Sequence, residues 1–357
     1  MIIDNPMLIF TALNTHEKYM QRCLDLAKKG FGNVAPNPMV GAVLVYQGEI
    51  IGEGFHEQYG MPHAEVNCIN SVTPENRHLI DKSTLYVSLE PCNHFGKTPP
   101  CTDLIITNRI PEVVIACKDS FEKVNGAGIK KLSENGIKII SGILQNQAVE
   151  LNKRFFIFHQ QKRPYIILKW AQSSDGFIAM ADGQPLKISN DLTNKLVHRW
   201  RSEESAIIVG TRTVVNDNPA LTNRLWYGNN PVRIIIDKKL KIDTSYHILD
   251  NSTPTIIFNE IKNVQEGRNE YIMLENETPF HHQLFKVLCQ KGLQSLIVEG
   301  GTVLLESFLS ANLWDELRVI TNTKLKLNQG IKAPEIGRLN FTRKEAIRND
   351  EINYYTR

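Results

Sequence analysis

The sequence predicts a two-domain α/β protein, and two observations carry that prediction. Short apolar strands alternate with helical stretches that have one apolar face, and the alternation stops once and then restarts. The chain has 357 residues, long for one domain and comfortable for two.

The elements follow in order. Asn14 with Glu17 reads as a cap for a helix running through Gly30, with Tyr19, Met20, Cys23, Leu24 and Ala27 on its buried face. "MVGAVLVY" and "EIIGEGFH" read as strands joined at Gln47-Gly48. "HAEVNCINSV" reads as a helix with Pro62 near its start. "STLYVSL" is a strand, "PPCTDLIITNR" a helix, "EVVIAC" a strand, "GAGIKKLSENG" a helix and "IKIISG" a strand. The polar run "LNKRFFIFHQQKRP" marks the boundary, so the domains are expected at 1–160 and 161–357. A second alternation begins at "RPYIILKWAQ". Strands are expected at "SAIIVG", "VRIIID", "TPTIIF" and "SLIVEGG", and helices at "NDLTNKLVHRWRS", "HHQLFKVLCQKG" and "TVLLESFLSAN". The polar stretch from Asn259 to Glu277 carries no clear pattern.

Composition narrows the function. The content is 42% hydrophobic and 22% charged, that of a soluble globular chain. Six cysteines are few for this length, which points to a reducing compartment. The N-terminus has no basic flank with a long apolar run, and there is no stretch of about 18 apolar residues, so neither a signal peptide nor a membrane span is expected. A cytoplasmic protein is the expectation. The net charge of +3 is too small to imply a nucleic-acid partner.

One constellation carries chemistry: His63 and Glu65 in "HAE", Cys92 after Pro91, and Cys101. Imidazole and thiolate are ligands zinc prefers, and a set of three leaves a position for water. Zinc lowers the pKa of that water, making hydroxide available near neutral pH. Two residues apart on a continuing helix, His63 and Glu65 would not share a face. In a first turn both can point past the helix end. Glu65 could then move a proton from the water to a leaving amine. His-x-Glu followed by Pro-Cys-x-x-Cys is the pattern of zinc deaminases acting on bases. This chain keeps the first two parts but has Cys-x8-Cys in the third. His94 is therefore a rival to Cys101 as third ligand, and plain buried thiols are the bland alternative.

"NVAPNPMVGAVLV", "GFHEQYGMPHAE", "LYVSLEPCNHFGKTPPC" and "NGAGIKKL" resemble the deaminase half of the RibD family of bifunctional riboflavin biosynthesis proteins. The resemblance implies zinc ligands at His63, Cys92 and Cys101, with Glu65 as the catalytic proton shuttle. It implies substrate contacts at Asn37, His56, His94 and Lys97 in an extended loop. Lys97 stands where the family usually has arginine, so a cation remains without a bidentate fork. Asn37 between two prolines could equally make a turn.

The second half speaks less clearly by itself. In "LIVEGGTVLLESFL" a strand, a Gly-Gly turn and a helix could present free amides to a phosphate. With "LKWAQSSDGFIA" and "VGTRTVVNDNPALTNR" it resembles the family's reductase half, which implies a dihydrofolate-reductase-like fold and NADPH. Cofactor contacts are implied at Thr213, Asp217, Gly301, Thr302, Val303, Leu304, Leu305, Glu306 and Ser307. Substrate contacts are implied at Arg201, Leu221, Arg224 and Glu299, and the two arginines suit a phosphate. The chain departs from the family at "GQPLKI", where Pro185 supplies no hydroxyl and Lys187 no indole. Lys187 could still meet a phosphate.

The expectation is a two-step enzyme that hydrolyses an amino group from a diaminopyrimidinone carrying a phosphoribosylamino group. It then reduces the ribosyl group to ribityl. Its partners are small phosphorylated pyrimidines, and self-association is left open. A nucleic-acid deaminase fused to an unrelated nucleotide-binding domain is the alternative, but residues 1–160 hold 15 basic and 16 acidic side chains, where a polynucleotide binder would be basic. A zinc-stabilised binding protein with a nucleotide-sensing half would have no need of Glu65.

Overall fold

The computed structural model describes residues 6–95, 99–119, 126–182, 184, 186–337 and 339–357, with only the backbone of 6–14. It divides into two compact units, Met1–Gln161 and Lys162–Arg357.

The first unit is a three-layer sandwich. Its helices are α1 (Pro6–Ala27), α2 (Ala64–Asn70), α3 (Cys101–Thr107), α4 (Ala127–Glu134), α5 (Gln145–Leu151) and α6 (Lys153–Gln161). Its strands are β1 (Gly41–Tyr46), β2 (Glu49–Phe55), β3 (Thr84–Val87), β4 (Glu112–Ile115) and β5 (Lys138–Ser141). The sheet order is β2-β1-β3-β4-β5. The first three strands pair antiparallel and the last three parallel. Alternation along the strands builds two cores. Val43, Val45 and Val114 face α1, α5 and α6, while Ala42, Leu44, Val113 and Ile115 face α2, α3 and α4. Two glycines let helices lie directly on strand backbone. A Cβ on Gly41 would fall 2.0 Å from the Cys23 carbonyl oxygen, and one on Gly54 would fall 2.4 Å from the Cys68 amide. The second contact fixes α2, and with it His63 and Glu65.

Two expectations need correction here. Among the described residues the first helix runs from Pro6, so it does not begin at Asn14. The run taken as a polar boundary is mostly helix. Phe155 and Phe156 of α6 are buried, and Asn152 before it exchanges hydrogen bonds with the Met39 backbone at 2.8 and 2.9 Å. Its many polar residues, Asn152 and Arg163 buried among them, hid its apolar side.

The second unit contains α7 (Asp191–Glu203), α8 (Thr211–Asp217), α9 (Phe280–Gln290) and α10 (Thr302–Ser310). Its strands are β6 (Tyr165–Ser173), β7 (Phe177–Ala179), β8 (Ala206–Gly210), β9 (Val232–Ile236), β10 (Thr255–Asn259), β11 (Val264–Glu266), β12 (Asn269–Met273), β13 (Ser295–Glu299), β14 (Glu316–Asn322), β15 (Ile331–Lys332), β16 (Asn340–Ile347) and β17 (Asp350–Thr356). Ten of them form one mixed sheet, ordered β11-β12-β10-β9-β8-β13-β6-β14-β17-β16. From β12 to β14 every neighbouring pair is parallel. Their carboxyl ends therefore meet along one edge, where ligands bind in open α/β sheets. The unpatterned stretch after Asn259 folds as the antiparallel β11–β12 ribbon at the sheet border, where few side chains need burial. Among the described residues no helix is long and apolar enough to cross a membrane.

Candidate active sites

The first unit holds a cavity of about 400 Å³. His63 is the residue before α2, in extended conformation, and Glu65 lies in the first turn, so both reach past the helix end. Cys92 follows β3 on a loop, and Cys101 is the first residue of α3. The Cys92 and Cys101 sulfurs lie 3.6 and 3.4 Å from His63 Nδ1, and the Cys101 amide donates to the Cys92 sulfur at 3.4 Å. The ligand atoms of all three lie within 4.8 Å of one another. His63 and Cys92 line the cavity, Cys101 is buried beside them, and neither cysteine is in a disulfide. The Cys92 thiol is drawn down to about 4, chiefly because the Cys101 thiol donates to it, and the Cys101 thiol is pushed up in return. One imidazole and two acidifiable thiols suit zinc.

Glu65 is buried on the cavity wall. Burial, then the neighbouring Cys92, raises its pKa above the ordinary carboxylate range, although His63 opposes the shift. His56 and Asn37 form a second wall. His56 Nδ1 bonds the Pro62 carbonyl at 3.0 Å, and Nε2 lies 3.1 Å from Asn37 Nδ2. A carbonyl only accepts, so Nδ1 carries the proton and Nε2 accepts from Asn37. Burial lowers the His56 pKa and favours this neutral ring. His94 stands on the wall, outside the three-ligand cluster. Lys97 lies outside the described residues. Glu90, Asp119, Phe155 and His159 also line the cavity and were not anticipated. Glu90, in "LEPC", carried a signal, since a carboxylate at the end of an apolar strand beside a ligand cysteine needs partners.

The second unit holds a larger cavity, about 900 Å³, at the carboxyl ends of β6, β8, β9 and β13. Thr213, Asp217, Arg201, Leu221, Glu299, Gly301, Thr302, Val303, Leu304 and Ser307 all line it. Leu305 turns into the hydrophobic core, and Glu306 and Arg224 are exposed outside the cavity lining. Arg224 is nonetheless tied in, since its amide donates to His198 Nδ1 at 3.0 Å. Gly301 precedes α10, and its amide donates to the Thr213 hydroxyl at 3.1 Å. A Cβ on Gly210 would meet nothing within 4 Å, so that glycine leaves the end of β8 open to an occupant.

A buried charge cluster forms the cavity floor. Glu299 accepts from Arg201 Nη2 at 2.8 Å and Nε at 3.2 Å, and Lys169 Nζ lies 3.5 Å away. Burial opposes ionisation of Glu299, but Arg201 and Lys169 outweigh it and hold its pKa at about 2. Lys169 was missed because a lysine inside an apolar strand gives no sign of which carboxylate it will face; β13 beside β6 supplies that partner, with Glu299 opposite Lys169. Burial raises the pKa of Asp217. Lys187 reaches the rim and pairs with Asp191 at 2.5 Å, while Pro185 lies outside the described residues.

Comparison with known proteins agrees with both halves. Residues 13–117 match the cytidine and deoxycytidylate deaminase zinc-binding region, and residues 164–325 match the RibD C-terminal domain. The chain is 38% identical to the riboflavin biosynthesis protein RibD of Aquifex aeolicus over 90% of each chain. It is 35% identical to that of Escherichia coli over 87% of this chain and 88% of the relative. A Thermotoga maritima diaminohydroxyphosphoribosylaminopyrimidine deaminase/5-amino-6-(5-phosphoribosylamino)uracil reductase of known structure is 35% identical, with a TM-score of 0.87 over 97% of this chain and 99% of that one.

Proposed function

The chain belongs to the RibD family of riboflavin biosynthesis proteins, and from that membership we propose which of its residues perform each half of the chemistry. It is a bifunctional enzyme, a zinc-dependent deaminase and an NADPH-dependent reductase of riboflavin biosynthesis. We assign deamination to residues 1–160 and reduction to residues 161–357. The observation that carries the assignment is the convergence of His63, Cys92 and Cys101 in one cluster, at a cavity that His63, Cys92 and a buried Glu65 line.

In the first site His63, Cys92 and Cys101 would hold the zinc. When bound, zinc supplies acidification of a water at neutral pH. Asn37, oriented by neutral His56, would hold the pyrimidine edge, and His94 and Lys97 would be further substrate contacts. Glu65 takes a proton from the attacking water and delivers it to the departing amine, so that water and the amino-bearing carbon become a carbonyl and ammonia. Its raised pKa suits a group that must hold a proton between those events.

In the second site NADPH supplies a hydride when bound. Thr213, Asp217, the residues from Gly301 to Leu304, and Ser307 would position it, the start of α10 offering amides to phosphate. The hydride would reach the sugar C1 carbon in an open-chain imine form. Glu299, fixed as an anion by Arg201 and Lys169, would orient the ribose with Leu221 packed beside it. Arg224 would take the phosphate. The Arg201 guanidinium already spends two of its nitrogens on Glu299.

The substrates are small phosphorylated pyrimidines rather than nucleic acid, in keeping with the charge balance of the first unit. Unpaired thiols as ligands fit a reducing cytoplasm. The test is to incubate purified protein with the phosphoribosylamino diaminopyrimidinone, with and without NADPH. Ammonia release without NADPH, and NADPH oxidation only after deamination, are expected. A zinc-loaded sample that releases no ammonia would overturn the assignment.

A further inference from the structure

Glu90 has no part in the chemistry above, yet it is a buried carboxylate with a full set of partners. One oxygen accepts from the amides of Asp119 (3.2 Å) and Gly126 (3.0 Å), the other from those of Gly128 (2.9 Å) and Ile129 (3.2 Å). Its own amide donates to the Cys117 carbonyl at 3.0 Å. Four charge-assisted bonds on a side chain 4% exposed define one geometry. A second observation is independent of the first. A Cβ on Gly128 would fall 2.2 Å from the Pro91 carbonyl oxygen, so the start of α4 presses directly on the backbone before Cys92.

We propose that Glu90 is a positioning residue of the deaminase site, latching the start of α4 and the Asp119 wall to the loop that presents Cys92. The inference rests on the deaminase reading of this cavity and assigns no new reacting group. Cys92 is carried on a loop. The amides of Cys101 and Thr102 at the start of α3 hold its sulfur (3.4 Å) and its carbonyl (3.2 Å), and the latch adds a second hold on the backbone before it. It works through acceptor count, which a carboxylate meets and an amide does not. In Glu90→Gln the amide nitrogen would face two backbone N–H donors, losing two of the four bonds. In Gly128→Ala the added methyl would drive Pro91, and Cys92 after it, away from α4.

The experiment replaces zinc by cobalt in the full-length protein and in both variants. Thiolate-to-cobalt absorption, metal release to a chelator, and both activities are then compared. Both variants should shift the thiolate band and release metal about tenfold faster, with deaminase kcat/KM about tenfold lower, the usual scale for a group that orients a ligand. Reductase activity should stay at the parental rate. Parental cobalt spectra and release in both variants would overturn the proposal. Amide exchange in β1 and β3 separates a displaced ligand from a failed fold. If Glu90→Gln opens those strands, Gly128→Ala decides; if both open them, the proposal is also overturned, because Glu90 then supports the whole unit. A parent that releases no ammonia would sink the deaminase reading, while the cobalt and exchange results would still decide the latch.

Discussion

The two cavities are assembled on opposite plans. The first draws its reactive groups from helix and loop ends between His63 and Cys101, and those groups are types that rarely occur together by chance. The second takes its groups from the ends of β6, β8, β9 and β13, from α8 and α10, and, with Arg201, from the last turn of α7. The types involved, Thr, Asp, Gly, Arg and Glu, are ordinary surface residues anywhere else. The first site is thus a compact set of metal ligands, and the second is a shaped edge with a charged floor. A short local motif can specify the former. Only the strand order of the sheet specifies the latter.

If the two sites are chemically separate, breaking one should spare the other. The largest effect is expected from Glu65→Gln, which should cost deamination about 10²–10⁴-fold, keep its zinc by metal analysis, and leave reduction of the deaminated substrate untouched. Full deaminase activity in that variant would refute the proton-shuttle role. Next comes Glu299→Gln, which leaves Arg201 and Lys169 buried without their anion. It should destabilise the second unit by about 3 kcal/mol and sharply reduce NADPH oxidation, with ammonia release unchanged. Urea unfolding followed by fluorescence tests this well, since all four tryptophans (Trp170, Trp200, Trp226 and Trp314) lie in the second unit.

The same cluster gives a pH signature. The pKa of Glu299 falls from 4.5 to about 2 on folding. A lowered acid pKa contributes stability above 4.5 that drains away as pH falls toward 2. Acid unfolding of the second unit, read by tryptophan fluorescence, should therefore show a loss between those values that Glu299→Gln lacks. The smallest effect is expected from Lys187→Ala. Its pairing with Asp191 is exposed on both sides and contributes little, so the KM for NADPH should stay within about twofold; a tenfold rise would make Lys187 a phosphate contact.

The contrast between sites also explains what could be read in the sequence. His63, Cys92, Cys101 and Glu65 were legible because zinc chemistry demands those types, and strands such as β1 and β3 because their apolar runs are short and bounded. Helix α6 was not, since Lys153, Arg154 and His159 mask a face of only two buried phenylalanines. Lys169 was not, and Glu90 signalled only that it needs partners, because a buried charge is explained only by the partner that tertiary structure brings to it. Glu299 sits opposite Lys169 through strand pairing, and the amides bound by Glu90 come from an element far along the chain. The residues from Gly301 to Ser307 show the limit of carrying a segment over whole, as Leu305 packs into the core and Glu306 is exposed outside the lining, while Gly301 to Leu304 and Ser307 line the cavity.

The central claim is that one chain carries a metal-dependent deaminase and a metal-independent reductase. The direct measurement strips zinc with a chelator and follows both reactions on one sample, before and after zinc is restored. Ammonia release should vanish and return, while NADPH oxidation with the deaminated substrate should hold its rate throughout. Ammonia release that survives complete metal removal, or NADPH oxidation that disappears with the metal, would contradict the account.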